Sequence, residues 1–260
     1  MNRIKVCTTF SGYDSQCLAL KYEGIPFELV AWCEIDKYAI QAHNALFPEY
    51  ADRNLGDITK VDWNKVPDFD LLTYSSPCQD ISNAGMQRGL EKGSGTRSSL
   101  LWEVEKAIEA KRPKFLLMEN VKALVGKKFK ADFESWLKTL ESYGYQNFWK
   151  VLNAKDYGVP QNRERVFVVS ILGGGNFEFP KRIPLEKRLV DILEPEEEVG
   201  EKYYIPNARI AKMIQHCERK QAEGCGFKFE PKGGDSIANS VTTRSGSRET
   251  DNYMRTDELF

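Results

Sequence analysis

Residues 69–82 read FDLLTYSSPCQDIS. The first half is a short apolar run bounded by Ser75, Ser76 and Pro77, the length and boundary expected of a buried strand. The second half is loop, and it begins on a lone cysteine. A strand apolar on both faces, rather than alternating, belongs in a parallel sheet covered by helices on both sides. Runs of the same kind recur outward from this one, as IKVCTTF, FELVAWCE and KFLLMEN. Between and after them lie helix-type segments: DSQCLALKYEG closed by Gly24, DKYAIQAHNALF, SLLWEVEKAIEAKR and ADFESWLKTLESYG. Alternating strands and helices of these lengths predict an α/β fold, a doubly wound, Rossmann-like sheet that is mostly parallel. QNFWKVLNA and ERVFVVSIL follow with no helix between them, so an antiparallel last pair is expected.

After Leu172 the stretch GGGNFEFP is a linker signal and the pattern dissolves. Residues 1–175 are therefore expected to form one domain built on the sheet. Residues 176–260 are expected to form a small mixed domain holding the acidic run EPEEE, the helical NARIAKMIQHCERKQA and Gly-rich segments.

Composition narrows the function classes. The chain is 41% hydrophobic and 29% charged, that of an ordinary globular protein, and no window approaches the roughly 18 apolar residues of a membrane span. No apolar leader opens the sequence, so a cytoplasmic protein without a membrane partner is expected. Six cysteines without a C-x-x-C pair, and two histidines, fit neither a zinc framework nor a disulfide scaffold. No metal is expected. A net charge of −1 means that any nucleic-acid surface is a local patch.

Several polar residues stand where strands end. In TTFSGYDSQ, Gly12 allows close backbone approach at a strand-to-helix turn, and Glu34 follows 22 positions later, about the interval at which nucleotide-binding sheets place an acid on ribose hydroxyls. The alternative is a tight turn with a solvated acid. The full G-x-G-x-x-G pattern is absent, Asp14 and Ser15 standing where small residues belong, which disfavours a nicotinamide and leaves an adenosine-bearing cofactor. Asp57 in GDI suits an adenine amino group with Ile58 against the ring, or else a plain turn. Cys78 follows a proline at the carboxyl end of a predicted central strand, where open α/β sheets bind ligands, and a long polar, Gly-rich stretch follows it. Against this stands the common buried structural cysteine. Neither His43, in a helix, nor His216, in the tail, has the context of a protease-type base. Glu119 ends LLMEN, where desolvation favours the protonated form that a general acid needs, though a structural acid is the alternative. Arg163 and Arg165 in QNRER are two apart, so strand alternation would put both on one face.

Taken in order, F-x-G, the strand-two glutamate, G-D-I, P-C-Q, E-N-V and Q-x-R-x-R resemble the DNA (cytosine-5)-methyltransferases over roughly residues 3–172. ANSVTTRSGS resembles the family's threonine-containing stretch. The resemblance implies an enzyme that transfers methyl from S-adenosylmethionine to C5 of a cytosine flipped out of double-stranded DNA. It implies Cys78 as nucleophile at C6, Glu119 at N3, and Arg163 and Arg165 holding O2 and the adjacent backbone. It assigns cofactor contacts to Phe10, Gly12, Glu34, Ile35, Asp57, Ile58, Pro77 and Leu100. DNA contacts fall to Gln79, Ser82, Arg88, Arg97, Thr242 and Arg244, with Lys202, Lys228, Lys232 and Arg248 as further backbone candidates in the tail domain. The resemblance makes residues 1–175 the cofactor-binding catalytic domain and residues 176–260 a small target-recognition domain.

This sequence departs from the family at Ser76, where a first proline is usual, and at the thinned glycine turn. The family's last segment, with an F-P-D-like turn, has no counterpart before DNYMRTDELF. A monomer is expected, with a second chain supplying that segment as the other possibility. The readings that stay open are a weak or split DNA-binding relative and an RNA cytosine-5 methyltransferase.

Overall fold

The apolar runs become the strands of one sheet. A computed structural model describes residues 3–77, 100–224, 228–241 and 251–255. The chain divides into two compact units, the first Met1–Leu152 with Arg165–Phe179, the second Asn153–Glu164 with Pro180–Phe260. Where the sequence suggested one boundary after residue 175, the second unit also takes in the 153–164 segment.

Strands of the first unit are β1 (Ile4–Thr9), β2 (Phe27–Cys33), β3 (Leu71–Tyr74), β4 (Phe115–Val121) and β5 (Tyr145–Asn153). After the two-residue β6 (Gln161–Asn162) comes β7 (Glu164–Leu172). The six-stranded sheet runs β2-β1-β3-β4-β7-β5. β1 pairs in parallel with β2 and β3, and β3 with β4, while β7 enters antiparallel to β4. The sheet is thus mostly parallel, as the continuous apolar runs require. Alternation along β1 sends Val6 into one buried cluster with Leu29, Trp32 and Phe47, and Cys7 into another with Leu72, Leu116 and Val168.

Helices α1 (Ser15–Tyr22), α2 (Lys37–Leu46), α3 (Leu101–Lys111) and α4 (Lys130–Ser142) belong to the same unit. α1 is capped by Asp14, and it closes at Gly24, whose φ of 66° is the left-handed value that glycine adopts without a Cβ clash. α2 starts on Asp36, whose side chain accepts from the amides of Tyr38 and Ala39 at 2.9 and 3.0 Å. Removing such a cap costs about 1 kcal/mol. Leu101, Val104 and Ile108 of α3 and Phe133, Trp136 and Leu140 of α4 enter the larger cluster. The buried Trp136 indole donates to the Tyr74 hydroxyl at 3.2 Å, which satisfies the polar atom of each ring.

The second unit contains α5 (Asn207–Ala222) and β8 (Ala238–Asn239), which pairs in parallel with β6. It also holds a groove of about 1090 Å³ lined by Ile192, Leu193, Tyr203, Tyr204, Ile210 and Phe229, among others, with Glu194 and Glu196 on it. No helix among the described residues is long and apolar enough to cross a membrane.

Candidate active site

Parallel strands β1 to β4 present their carboxyl ends along one edge of the sheet, and the polar candidates gather there. The turn after β1 is the most constrained piece of backbone. Phe10, Gly12 and Asp14 have φ of 55°, 58° and 65°. For the two that are not glycine this conformation costs on the order of 1–2 kcal/mol each, so the surroundings must hold it. Ser11 does part of this, its amide donating to the Cys33 carbonyl at 3.1 Å. Beyond it, the Gly12 amide donates to Glu34 Oε2 at 2.9 Å. A Cβ at Gly12 would meet none of the described residues within 4 Å, so among them the space in front of the turn is open.

Glu34 is therefore not a loosely solvated acid. Its other oxygen accepts from the Ile35 and Asp36 amides at 2.8 and 2.9 Å, leaving the carboxylate oriented by three backbone donors. Asn54, unremarked in the sequence, fastens the neighbouring segment: its Oδ1 accepts from the amides of Glu34 and Gly56, and its Nδ2 donates to the Glu34 carbonyl. Three residues on, Asp57 accepts from the Thr59 amide and hydroxyl, which hold its carboxyl below the usual range. The isoleucines after the two acids differ sharply. Ile35 is 73% exposed, whereas Ile58 is 5% exposed and packed in the larger core cluster. Burial, with Asp57 and Glu34 nearby, pushes the Cys33 thiol up to about 12 and keeps it neutral.

At the next strand ends, Tyr74 of β3 lies opposite Met118 of β4, so the chain leading to Cys78 and the strand carrying Glu119 are parallel neighbours. The Asn120 side chain, buried, donates from Nδ2 to the Ser76 carbonyl and to Ser76 Oγ at 3.2 Å each. It thereby pins the backbone two residues before Cys78. Serine in place of the family's usual proline supplies one of those acceptors. Gln16 adds a bond to Ser75 at 3.1 Å, tying α1 to the same stretch. The Glu119 carboxyl does not sit among apolar groups as its strand suggested. Its Oε1 receives Arg165 Nε at 3.0 Å from the antiparallel β7, where Arg165 lies opposite Val121.

Arg163 precedes β7 instead of sharing its face. It lies in the second unit, its amide donating to Asn153 Oδ1 at 3.0 Å. Phe10 and Pro77 are part-buried, and Leu100 immediately precedes α3. In the second unit the Lys202 ammonium lies 4.9 Å from the Tyr203 ring, Lys228 is 3.8 Å from Glu230, and Lys232 bridges to Met254. Cys78, Gln79, Ser82, Arg88, Arg97, Thr242, Arg244 and Arg248 lie outside the described residues. Among the described residues no group of three or more His, Cys, Asp or Glu is arranged to hold a metal ion.

The profile of the C-5 cytosine-specific DNA methylases matches residues 4–258, almost the whole chain. The chain belongs to that family. Its relatives include the type II methyltransferase M2.ScrFI of Lactococcus lactis subsp. cremoris, 42% identical over 80% of this chain and 72% of that protein. The orphan methyltransferase M.Rho11sI of Bacillus phage rho11s is 31% identical over 87% of this chain, and the chain spans about half of it. Among solved structures, the S. pombe Dnmt2 methyltransferase superposes with a TM-score of 0.69 over 97% of this chain and 74% of that one. At 20% identity it testifies to the fold alone. By class, then, the protein is a DNA cytosine-5 methyltransferase, with S-adenosylmethionine as its methyl donor. The residues present fit that cofactor: an open glycine turn, an oriented carboxylate, an exposed apolar side chain and a second fixed acid lie along one edge.

Proposed function

We propose that this chain methylates C5 of a cytosine flipped out of double-stranded DNA, through a transient covalent bond between Cys78 and the base. The observation that carries the reading is the Asn120 clamp on Ser76 beside the Glu119–Arg165 pair. One strand end thus fixes the approach to the cysteine and also presents a carboxyl that a guanidinium orients.

Carbon 5 of cytosine is a poor nucleophile. The Cys78 thiolate adds to C6, forming an S–C6 bond and pushing the ring electrons toward C5 and N3. Glu119 hydrogen-bonds or protonates N3, which takes up that charge, and Arg165 keeps its carboxyl aimed. S-adenosylmethionine, when bound, supplies an electrophilic methyl on a sulfonium. Once C5 is methylated its proton is lost to water, the S–C6 bond breaks, and the thiolate is regenerated. Glu34 is suited to ribose hydroxyls, Asp57 to the adenine amino group and the exposed Ile35 to the ring face. Phe10, Gly12, Pro77 and Leu100 complete the cofactor wall, while Ile58, packed in the core, does not reach it. Arg163 holds base or backbone, and Gln79, Ser82, Arg88, Arg97, Thr242 and Arg244 contact DNA. Extruding the base costs a few kcal/mol, which these contacts offset.

The test is expression in a methylation-free bacterial host followed by bisulfite sequencing of its DNA, with Cys78→Ser alongside. Protected cytosines in one short context, absent with Cys78→Ser, support the reading. Protection that survives Cys78→Ser rules out the covalent route. A duplex with 5-fluorocytosine, whose C5 substituent cannot leave as a proton, is expected to stay bonded to the wild-type chain on a denaturing gel.

A further inference from the structure

Two buried ionisable side chains in the first unit take no part in the site so far: Asp14 and His43, each 0% exposed. Asp14 caps α1 through Oδ1, which accepts from the Cys17 amide at 3.1 Å, and its amide donates to the Ser11 carbonyl at 2.8 Å. A cap needs nothing more, and most cap carboxylates face water. Here the second oxygen points inward. It accepts from Thr8 Oγ1 at 2.9 Å and faces His43 Nε2 across 3.7 Å. His43 sits on α2 with its ring stacked on the Trp32 indole, centroids 3.7 Å apart, and its Nε2 has no hydrogen-bond partner among the described residues.

From Asp14 the network runs on. Thr8 Oγ1 lies 2.8 Å from Ser11 Oγ, and that hydroxyl reaches the Cys33 carbonyl at 3.3 Å. The chain of contacts therefore leaves α2, passes beneath the turn of residues 10–14 and ends at the last residue of β2. On the outer side of the same turn lies the bond from Gly12 to Glu34. α2 itself begins three residues after Glu34, so its placement and that of Glu34 are coupled through the chain.

We propose that Asp14 and His43 form a positioning pair that sets the Gly12 amide against the Glu34 carboxylate, and with it the grip on the cofactor, without touching the cofactor. The proposal rests on the cofactor reading of this turn. A turn with three left-handed residues in five is held only by its surroundings, so weakening the inner contact lets the turn relax and spreads the donors on its outer face. Because Glu119 lies on β4 and Cys78 comes after β3 in the sequence, neither within the 10–14 turn, the effect falls on cofactor affinity and not on the chemical step.

The variants are Asp14→Asn, which keeps a cap acceptor; His43→Leu, which keeps bulk and loses the nitrogen; His43→Gln, which returns an amide nitrogen; and the Asp14→Asn/His43→Leu double. The measurements are the Kd for S-adenosylmethionine by titration calorimetry, kcat and KM with DNA, and amide hydrogen exchange over residues 10–14. The single Asp14→Asn and His43→Leu variants are expected to weaken binding about tenfold and to speed exchange over 10–14. The double is expected to be no worse than the poorer single, and His43→Gln to recover to within threefold. kcat at saturating cofactor is expected to change less than twofold. A folded His43→Leu protein with lowered Tm but unchanged Kd and unchanged exchange overturns the proposal and leaves a core contact. If the wild-type chain binds no S-adenosylmethionine, the cofactor reading fails instead. The exchange data then still judge whether the pair holds the turn, and equal exchange rates overturn that role.

Discussion

Raising the pH should unfold the first unit through its buried thiols. Cys7, Cys17 and Cys33 are each buried, and burial pushes all three thiols up; for Cys33 the value is about 12. In the unfolded chain each ionises near its ordinary value of 9. A thiol whose folded pKa is raised stabilises the fold fully below pH 9, and that stability drains away as the pH climbs toward the folded value. At pH 10.5 the unfolded Cys33 is almost wholly ionised and the folded one is not, a difference of about 2 kcal/mol at roughly 1.4 kcal/mol per unit. Burial pushes the Cys7 and Cys17 thiols up as well, so both add to the loss in the same direction. Tyr145, pushed up to about 12 by burial, adds a smaller loss beginning above pH 10. The assay is urea unfolding followed by tryptophan fluorescence, in reductant, at pH 7.5 and 10.5, for wild type and Cys33→Ala. The substitution leaves a small void whose cost is the same at both pH values. Only the loss between them is compared. Wild type is expected to lose about 2 kcal/mol more than Cys33→Ala. Equal losses would refute the reasoning, since they would mean that Cys33 ionises alike in both states.

Asn120→Ala is expected to cost about 1–3 kcal/mol by leaving the buried Ser76 acceptors unpaired, and to lower kcat while the S-adenosylmethionine Kd in calorimetry stays within threefold. Arg165→Lys keeps the charge but loses the Nε contact at 3.0 Å; steady-state kinetics are expected to show kcat reduced by roughly tenfold or more, as a point charge orients a carboxyl poorly. Gly12→Ala meets none of the described residues but must hold φ at 58°; it should lose on the order of 1 kcal/mol in thermal unfolding and weaken cofactor binding more than it weakens DNA binding. Asn54→Ala frees the 54–57 segment from β2, and its expected signature is faster amide exchange at Leu55–Asp57 with a higher KM for cofactor.

The sheet was legible because burial on both faces writes itself into composition: IKVCTT buries its last four residues in succession and LLTY its last three. The close of α1 was legible too, at Gly24, where φ is 66°. What escaped depends on partners far away in the chain. Nothing local marks Asn54 or Asn120 as clamps, since an asparagine bonded to residues 20 or 44 positions off looks like any turn asparagine. The two isoleucines that follow acids are alike in sequence, yet Ile35 faces out while Ile58 faces the core, a choice made by the short helical turn at Ile58–Lys60. The i, i+2 spacing of Arg163 and Arg165 suggested one strand face, but the Asn153 side chain takes the Arg163 amide and the strand begins one residue later. The order β4-β7-β5 likewise follows from which edge β7 can reach, which no local pattern records.

The pairing of β6 with β8 has a consequence for anyone who treats the second unit as a cassette. Residues 161–162 are threaded between two strands of the sheet in sequence, yet Gln161 pairs with Ala238 and Asn162 with Asn239, the Ala238 amide donates to the Pro160 carbonyl, and Ser240 Oγ donates to the Asn162 carbonyl. A transplant cut at Pro180 would carry β8 into a foreign host and abandon its mate. Exchanging this unit between relatives therefore calls for two coordinated grafts, one spanning 153–164 and the other starting at 180, and single-junction chimaeras should be expected to inherit a frayed seam.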